Sequence, residues 1–338
     1  MRSRAVLLIC AIALLLAMDY PLPEQVELEY PKDWPTPTYD FNKSPLTVEG
    51  IALGRKLFYD PILSADSTIS CSNCHLVYTA FTHVDHDLSH GIRDSIGTRN
   101  SPALMNLAWG TSFMWDGAVN HLDMQALAPI THPAEMGEDL KHVIQKLQRS
   151  EVYPSLFNLA FGSNEITGEH LLKAIAQFEL TLVSANSRYD QYKRGEVEFT
   201  EKESRGYELF KQNCASCHTE PLFTNGEFEN SGLSLDSTLN DYGRMLITND
   251  IYDSLKFKVP TLRNIEFSYP YMHDGRFKSI RQVLDHYERG VVDSKNLAPE
   301  LKGGIQLSGN EKVDLTTFML TLTDKEFLFN PNHAFPRN

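Results

Sequence analysis

Apolar side chains recur at helical spacing in several separate stretches of the chain. Between residues 44 and 60 they are Ile51, Leu53, Leu57 and Phe58. Ser44-Pro45 supplies an N-cap and a first helical position for that stretch, and Asp60-Pro61 ends it. Residues 140–147 and 170–183 predict two further helices. In the second, Leu171, Leu172, Ile175, Phe178 and Leu182 form one face, with Thr167 as the candidate cap. Thr200-x-x-Glu203 is a capping box that opens a helix bearing Tyr207, Leu209 and Phe210. Ser308-x-x-Glu311 opens another, with Val313, Leu315, Phe318, Met319 and Leu322. The stretches 76–123 and 219–256 are polar and punctuated by glycine, and predict loops and short helices. Residues 19–43, rich in Pro and aromatics around Trp34-Pro35-Thr36-Pro37, predict an extended surface arm. The expected fold is mainly α, with loop-rich connections.

At 338 residues and 42% hydrophobic content, the chain can form two well-buried cores. The polar run Asn186 to Phe199 holds the expected junction, giving domains 19–188 and 189–338. Met1-Arg2-Ser3-Arg4 is basic, Ala5 to Met18 is apolar, and Asp19-Tyr20-Pro21 ends the run. Residues 1–18 thus predict a secretory signal peptide or, because the cleavage site is indistinct, a retained N-terminal membrane anchor. Either implies export, to the periplasm for a bacterial chain. The formal charge of -13 disfavours nucleic acid and anionic membranes. It suits a basic electron-carrier partner, and it equally serves plain solubility.

Four of the five cysteines fall into two identical patterns, Cys71-Ser72-Asn73-Cys74-His75 and Cys214-Ala215-Ser216-Cys217-His218; the fifth is Cys10. A lone C-x-x-C serves a redox dithiol or half a zinc site. A His directly after each pair makes C-x-x-C-H, the attachment pattern of c-type haem. Each pair of thiols can form thioethers to a haem, and His75 and His218 are then proximal iron ligands. The expected cofactors are two covalently bound haem c groups, one per domain. A helix before each motif and an amphipathic helix at the domain end match the plan of small c-type cytochrome domains.

Further stretches accompany the motifs: Leu53-Gly54-Arg55-Lys56-Leu57-Phe58-Tyr59-Asp60-Pro61, Arg99-Asn100-Ser101-Pro102, Trp115-Asp116-Gly117, Glu135-Met136-Gly137, Val259-Pro260-Thr261-Leu262-Arg263-Asn264 and Pro270-Tyr271-Met272-His273-Asp274-Gly275. Over roughly residues 44 to 328 the sequence resembles the bacterial dihaem cytochrome c peroxidases and their relatives, including MauG. The resemblance implies that the N-terminal haem meets hydrogen peroxide. The C-terminal haem would receive electrons from a small redox protein, a cytochrome or a cupredoxin. By position it makes Glu135 the distal acid–base residue, Gln125 its polar partner and Trp115 the aromatic between the haems. It places a Ca²⁺ ion at Asn100 and the backbone carbonyls of Ser268 and Pro270, an oxygen set that suits a hard cation. It also implies a homodimer.

The resemblance divides over the sixth iron ligands. His90 stands near the position of the distal His that closes the N-terminal haem in the peroxidases, with His83 and His86 as competitors. MauG-like members lack that His. At the C-terminal haem the position of the usual Met is Tyr287, as in MauG-like proteins, with His286 and Met272 as competitors. Three activities follow as alternatives: cytochrome-dependent peroxide reduction, MauG-like oxidation of a protein or small organic substrate, and plain dihaem electron carriage. The carrier has no use for an acid–base pair such as Gln125 and Glu135.

Overall fold

The structure is a computed structural model and describes residues 22–336. The leader expectation for residues 1–18, and Cys10 with it, lies outside the described residues. Among the described residues no helix is long and apolar enough to cross a membrane. The fold is mainly α. Its longer helices are α1 (Val48–Tyr59), α2 (Leu140–Arg149), α3 (Tyr153–Phe161), α4 (Gly168–Leu180), α5 (Glu201–Asn213), α6 (Ile280–Arg289) and α7 (Gly309–Leu320). The only paired strands described are two-residue ones: Gln25–Val26 with Leu46–Thr47, and Phe228–Glu229 with Phe257–Lys258, both antiparallel.

Local capping chemistry sets the helix starts. The Thr167 side chain accepts the His170 amide, and Thr200 and Ser308 close the expected capping boxes with Glu203 and Glu311. The first helix differs from its expectation. Thr47, not Ser44, accepts the Gly50 amide, because Leu46 and Thr47 are drawn into the strand pair with the N-terminal arm.

Two helix pairs give the fold its plan. α1 packs on α4, and α5 packs on α7. Each crossing brings one glycine onto the partner helix's backbone. A Cβ on Gly54 would stand 1.8 Å from the Ala174 carbonyl oxygen, and one on Gly206 would stand 2.0 Å from that of Asp314. Leu53, Leu57, Val143, Leu147, Phe157 and Ile175 form the core around the first pair. Tyr207, Phe210, Phe223, Leu284, Leu315 and Phe318 form the core around the second. Full burial of each such side chain contributes about 1.5–3 kcal/mol.

The halves are bound by more than a linker. Phe327 and Leu328, from the chain's last turns, pack with Phe58, Phe81 and Phe178 of the first half. Arg55 donates to the carbonyls of Pro331 and Ala334, both at 2.7 Å. The N-terminal arm runs in extended form, as expected, and places Trp34 against Trp109.

Candidate haem cavity

One continuous cavity of about 770 Å³ lies between the halves. Both C-x-x-C-H motifs line it, through Cys74 and His75 on one side and Cys214, Cys217 and His218 on the other. The four thiols are unpaired. Burial pushes Cys74 up to about 11 and Cys214 up to about 12, so both stay protonated at neutral pH.

The two histidines are held alike. His75 Nδ1 lies 2.7 Å from the Phe81 carbonyl oxygen. His218 Nδ1 lies 3.2 Å from that of Phe223 and 3.1 Å from that of Pro260. Phe81 and Phe223 take left-handed conformations, φ 58° and 55°, which bring those carbonyls round. A carbonyl accepts only from a protonated nitrogen, so Nδ1 carries the hydrogen and Nε2 is left as the donor atom. Burial lowers both imidazoles to about 4, keeping them neutral and able to ligate. Free thiol pairs, neutral oriented imidazoles and a cavity joining both motifs fit two haem groups.

The similarity between the halves runs well beyond the motifs. The segment Pro102 to Pro129 matches Pro260 to Tyr287 at one constant offset, with no insertion. Asn106 and Asn264 have φ 56° and 57°, Met114 and Met272 have 69° and 72°, and Gly117 and Gly275 have 72° and 68°. The isolated bridges Phe113 to Val119 and Tyr271 to Phe277 coincide, and His121 and Ser279 cap the following helices. Behind the two motifs the backbone shows a repeated cradle. In this register Trp115 matches His273, Gln125 matches Val283, and Pro129 matches Tyr287. Pro129 and Tyr287 both line the cavity. Aligning the chain with itself is the signal that pairs Pro129 with Tyr287.

Trp115, Gln125 and Glu135 all reach the cavity wall. Trp115 Nε1 donates to the Asn100 carbonyl at 2.8 Å, and the Asn100 amide donates to the His273 carbonyl at 2.6 Å. Asn100 thus ties together the two matching ring positions. Gln125 Nε2 lies 3.5 Å from Met114 Sδ. Glu135 sits in a turn pinned at both ends. Its amide and that of Gly137 donate to the His132 carbonyl, and Met136 beside it is buried. Gly91 presses against this turn, where a Cβ would meet the Ala134 and Glu135 carbonyls at 2.3 Å. Burial raises the Glu135 carboxyl above the usual range, and His132, 3.7 Å away, partly opposes that.

The other expected residues divide. Tyr287 lines the cavity, and burial, with the thiols of Cys214 and Cys217, holds its phenol protonated well above the usual value. His286 does not compete, since its Nε2 faces the Ser231 carbonyl at 2.9 Å. Met272 and His273 line the cavity, and His273 stacks on Phe257 at 3.6 Å. His90 turns elsewhere: its Nδ1 meets Asp94 at 3.0 Å, and its ring stacks on His86 at 4.1 Å, outside the cavity wall. Asn100, Ser268 and Pro270 share one wall. The Asn100 amide group donates to the Asp87 carbonyl at 3.1 Å, which leaves its side-chain oxygen as an acceptor.

The comparisons with known proteins agree with this geometry. The family model of the di-haem cytochrome c peroxidases matches residues 48–198. The methylamine utilization protein MauG of Methylorubrum extorquens is 37% identical over 291 residues, 82% of this chain and 79% of the relative. The cytochrome c551 peroxidase of Nitrosomonas europaea is 34% identical over 247 residues, 72% and 73% of the two chains. The crystal structure of a MauG-like protein associated with microbial copper homeostasis superposes with a TM-score of 0.82 at 30% identity, covering 92% of this chain and 99% of that one. The chain belongs to the dihaem cytochrome c peroxidase and MauG family, and it is a haem-dependent oxidoreductase of the peroxidase type.

Proposed function

We propose that the protein reduces hydrogen peroxide to water on the His75 side of the cavity, with electrons that a small redox protein delivers on the His218 side. The observation that carries this reading is Glu135, a carboxyl with a raised pKa held rigidly on the wall beside His75. Haem, when bound, supplies the iron that takes up peroxide and the redox capacity for breaking its O–O bond. His75 and His218 would hold the two irons, and Cys71, Cys74, Cys214 and Cys217 would carry the thioethers. Glu135 takes the proton from one peroxide oxygen and returns it to the other, which one fixed carboxyl can do. Gln125 orients the incoming peroxide by hydrogen bonding. Trp115, tied through Asn100 to His273, lies on a hydrogen-bonded connection between the two sides and passes electrons. The units 19–188 and 189–338 divide peroxide chemistry from electron entry.

Tyr287 ligates on the second side, and Pro129, with no donor, borders the matching place on the first. The oxygens of Asn100, Ser268 and Pro270 would hold a Ca²⁺ ion, which would tie the two halves together. The chain is exported to the periplasm, where its donor is a cytochrome or cupredoxin. The pairing of Tyr287 with Pro129 favours one second reading, MauG-like oxidation of a protein or small organic substrate. Mixing the holoprotein with peroxide, with and without a reduced cytochrome, separates the two. Rapid cytochrome-dependent peroxide loss is the expected result. A long-lived oxidised state without cytochrome turnover would replace the first reading with the second.

A further inference from the structure

The cavity wall has an aromatic exit that the peroxide chemistry above does not use. Trp109 lines the cavity and is nearly buried, 8% exposed. Its ring meets Tyr30 edge-on at 5.4 Å, and Tyr30, in the N-terminal arm, is 36% exposed. Two rings in contact therefore join the cavity to bulk solvent. The arm is stapled where this happens. The amides of Thr38 and Tyr39 both donate to the Ala108 carbonyl at 3.0 Å, and Thr38 Oγ1 donates to that of Gly110 at 3.1 Å.

Trp109 also touches Trp34 at 5.2 Å, so the exit could branch. Exposure decides between the branches. The Arg263 guanidinium lies 4.7 Å over the Trp34 ring and is itself paired with Asp190 at 2.8 Å, and Trp34 is only 8% exposed, so this branch does not open to solvent. The Trp109 Nε1–H donates to the Pro35 carbonyl at 2.7 Å, which stabilises the indole when it loses an electron. Trp109 is thus the easier ring to oxidise, and Trp34 is a side branch. The exposed Tyr78, Tyr252 and Tyr269 have no aromatic neighbour among the described residues.

We infer that Tyr30 is a surface oxidation site, connected through Trp109 to the cavity, at which external one-electron donors of the phenol class are oxidised. The inference rests on the peroxidatic reading for its oxidant. Peroxide takes two electrons and two protons and becomes two waters. Tyr30 supplies one electron through Trp109 and releases its hydroxyl proton to solvent. The resulting phenoxyl takes a hydrogen atom from an external phenol, which restores Tyr30 and leaves a phenol radical in solution. Two such cycles balance one peroxide.

The test uses the holoprotein with hydrogen peroxide, no cytochrome and a nitroso spin trap, followed by peptide mapping. The adduct is expected on Tyr30. It should be lost in Trp109→Phe, restored in Trp109→Tyr and kept in Trp34→Phe. This pattern separates a redox role from damage to the arm. A phenol coupled to dextran, too large for the cavity, should be oxidised by the wild type and not by Tyr30→Phe. Peroxide loss with no adduct on Tyr30, or equal labelling of Tyr30 in Trp109→Phe, overturns the inference alone. Absence of peroxide loss removes the peroxidatic reading and the inference with it.

Discussion

Pro129 and Tyr287 occupy matching places in two cradles that align without insertion from Pro102 and Pro260 onward and share their left-handed turns at Asn106 and Asn264, Met114 and Met272, and Gly117 and Gly275. Around that shared frame the side chains diverge in one direction. The first half has Trp115, Gln125 and Pro129, with the carboxyl of Glu135 following. The second has His273, Val283 and Tyr287. The first set has a side chain without a donor where the second has a phenol, and it adds an amide and, through Glu135, a carboxyl. The second has a buried, protonated phenol and an apolar residue where the amide was. A few substitutions on a repeated scaffold thus give the two sides different chemistry, while the residues that set its turns, Asn106 with Asn264 and Gly117 with Gly275, stay the same.

The most severe way to break the contrast is Glu135→Gln. It keeps the shape of the turn and removes the proton carrier. We expect peroxide kcat/KM to fall about a hundred- to ten-thousand-fold, with both haems still attached. Stopped-flow turnover checks this, and wild-type rates would take Glu135 out of the reaction. Tyr287→Phe sharpens the other side. Loss of the phenol oxygen should open one coordination position at the second haem, raise its potential and leave the first haem's spectrum alone. An unchanged second spectrum would give the ligand role to another residue, with Met272 a candidate on the same wall.

The two glycine crossings test whether the halves stand equally on their helix pairs. Gly54→Ala drives a methyl group onto the Ala174 carbonyl, and Gly206→Ala drives one onto that of Asp314. Both obstacles are backbone, so neither can swing aside. Each substitution should destabilise by roughly 1–3 kcal/mol or more, read by denaturant unfolding of the holoprotein. Near-equal losses support two equivalent pairs. A loss confined to one variant would show that only that half depends on its close crossing.

What could be read from the sequence, and what could not, follows from the range of the interactions. The caps at Thr167, Thr200 and Ser308 are bonds across three residues, and they appear as expected. Thr47 displaces Ser44 because the distant Gln25–Val26 pairs with Leu46–Thr47, a contact that no local window contains. The haem motifs stand out because their chemistry is contiguous. The repeated cradle hides because it preserves backbone angles while changing side chains: Met105 faces Arg263, and Trp115 faces His273. The unequal loops before Pro102 and Pro260 also put the motifs out of step with the segments behind them. His90 was placed by resemblance to the peroxidases. A resemblance in position gives no side-chain contacts, and here the ring meets Asp94 and His86.

Glu179 offers the smallest and most local test of the asymmetry. It lies on α4 beside Cys71, is almost wholly buried, and its Oε2 has no hydrogen-bond partner among the described residues. Burial pushes its carboxyl up to about 8. Position Glu179 falls one residue after Phe178, and the matching place on α7, after Phe318, is Met319. The unfolded chain releases this proton near pH 4.5 and the folded one near pH 8. Between those values the folded state binds more protons than the unfolded state, so stability must fall as pH rises. The contribution is complete below about pH 4.5, declines by at most about 1.4 kcal/mol per pH unit, and is level again above pH 8. Glu179→Gln removes that decline, while Met319→Leu in the second half leaves it in place. Denaturant midpoints of the wild type and both variants from pH 5 to about 8 measure it directly. If Glu179→Gln keeps the wild-type slope, the carboxyl is paired or hydrated in the folded protein, and the core beside Cys71 is more polar than its side chains imply.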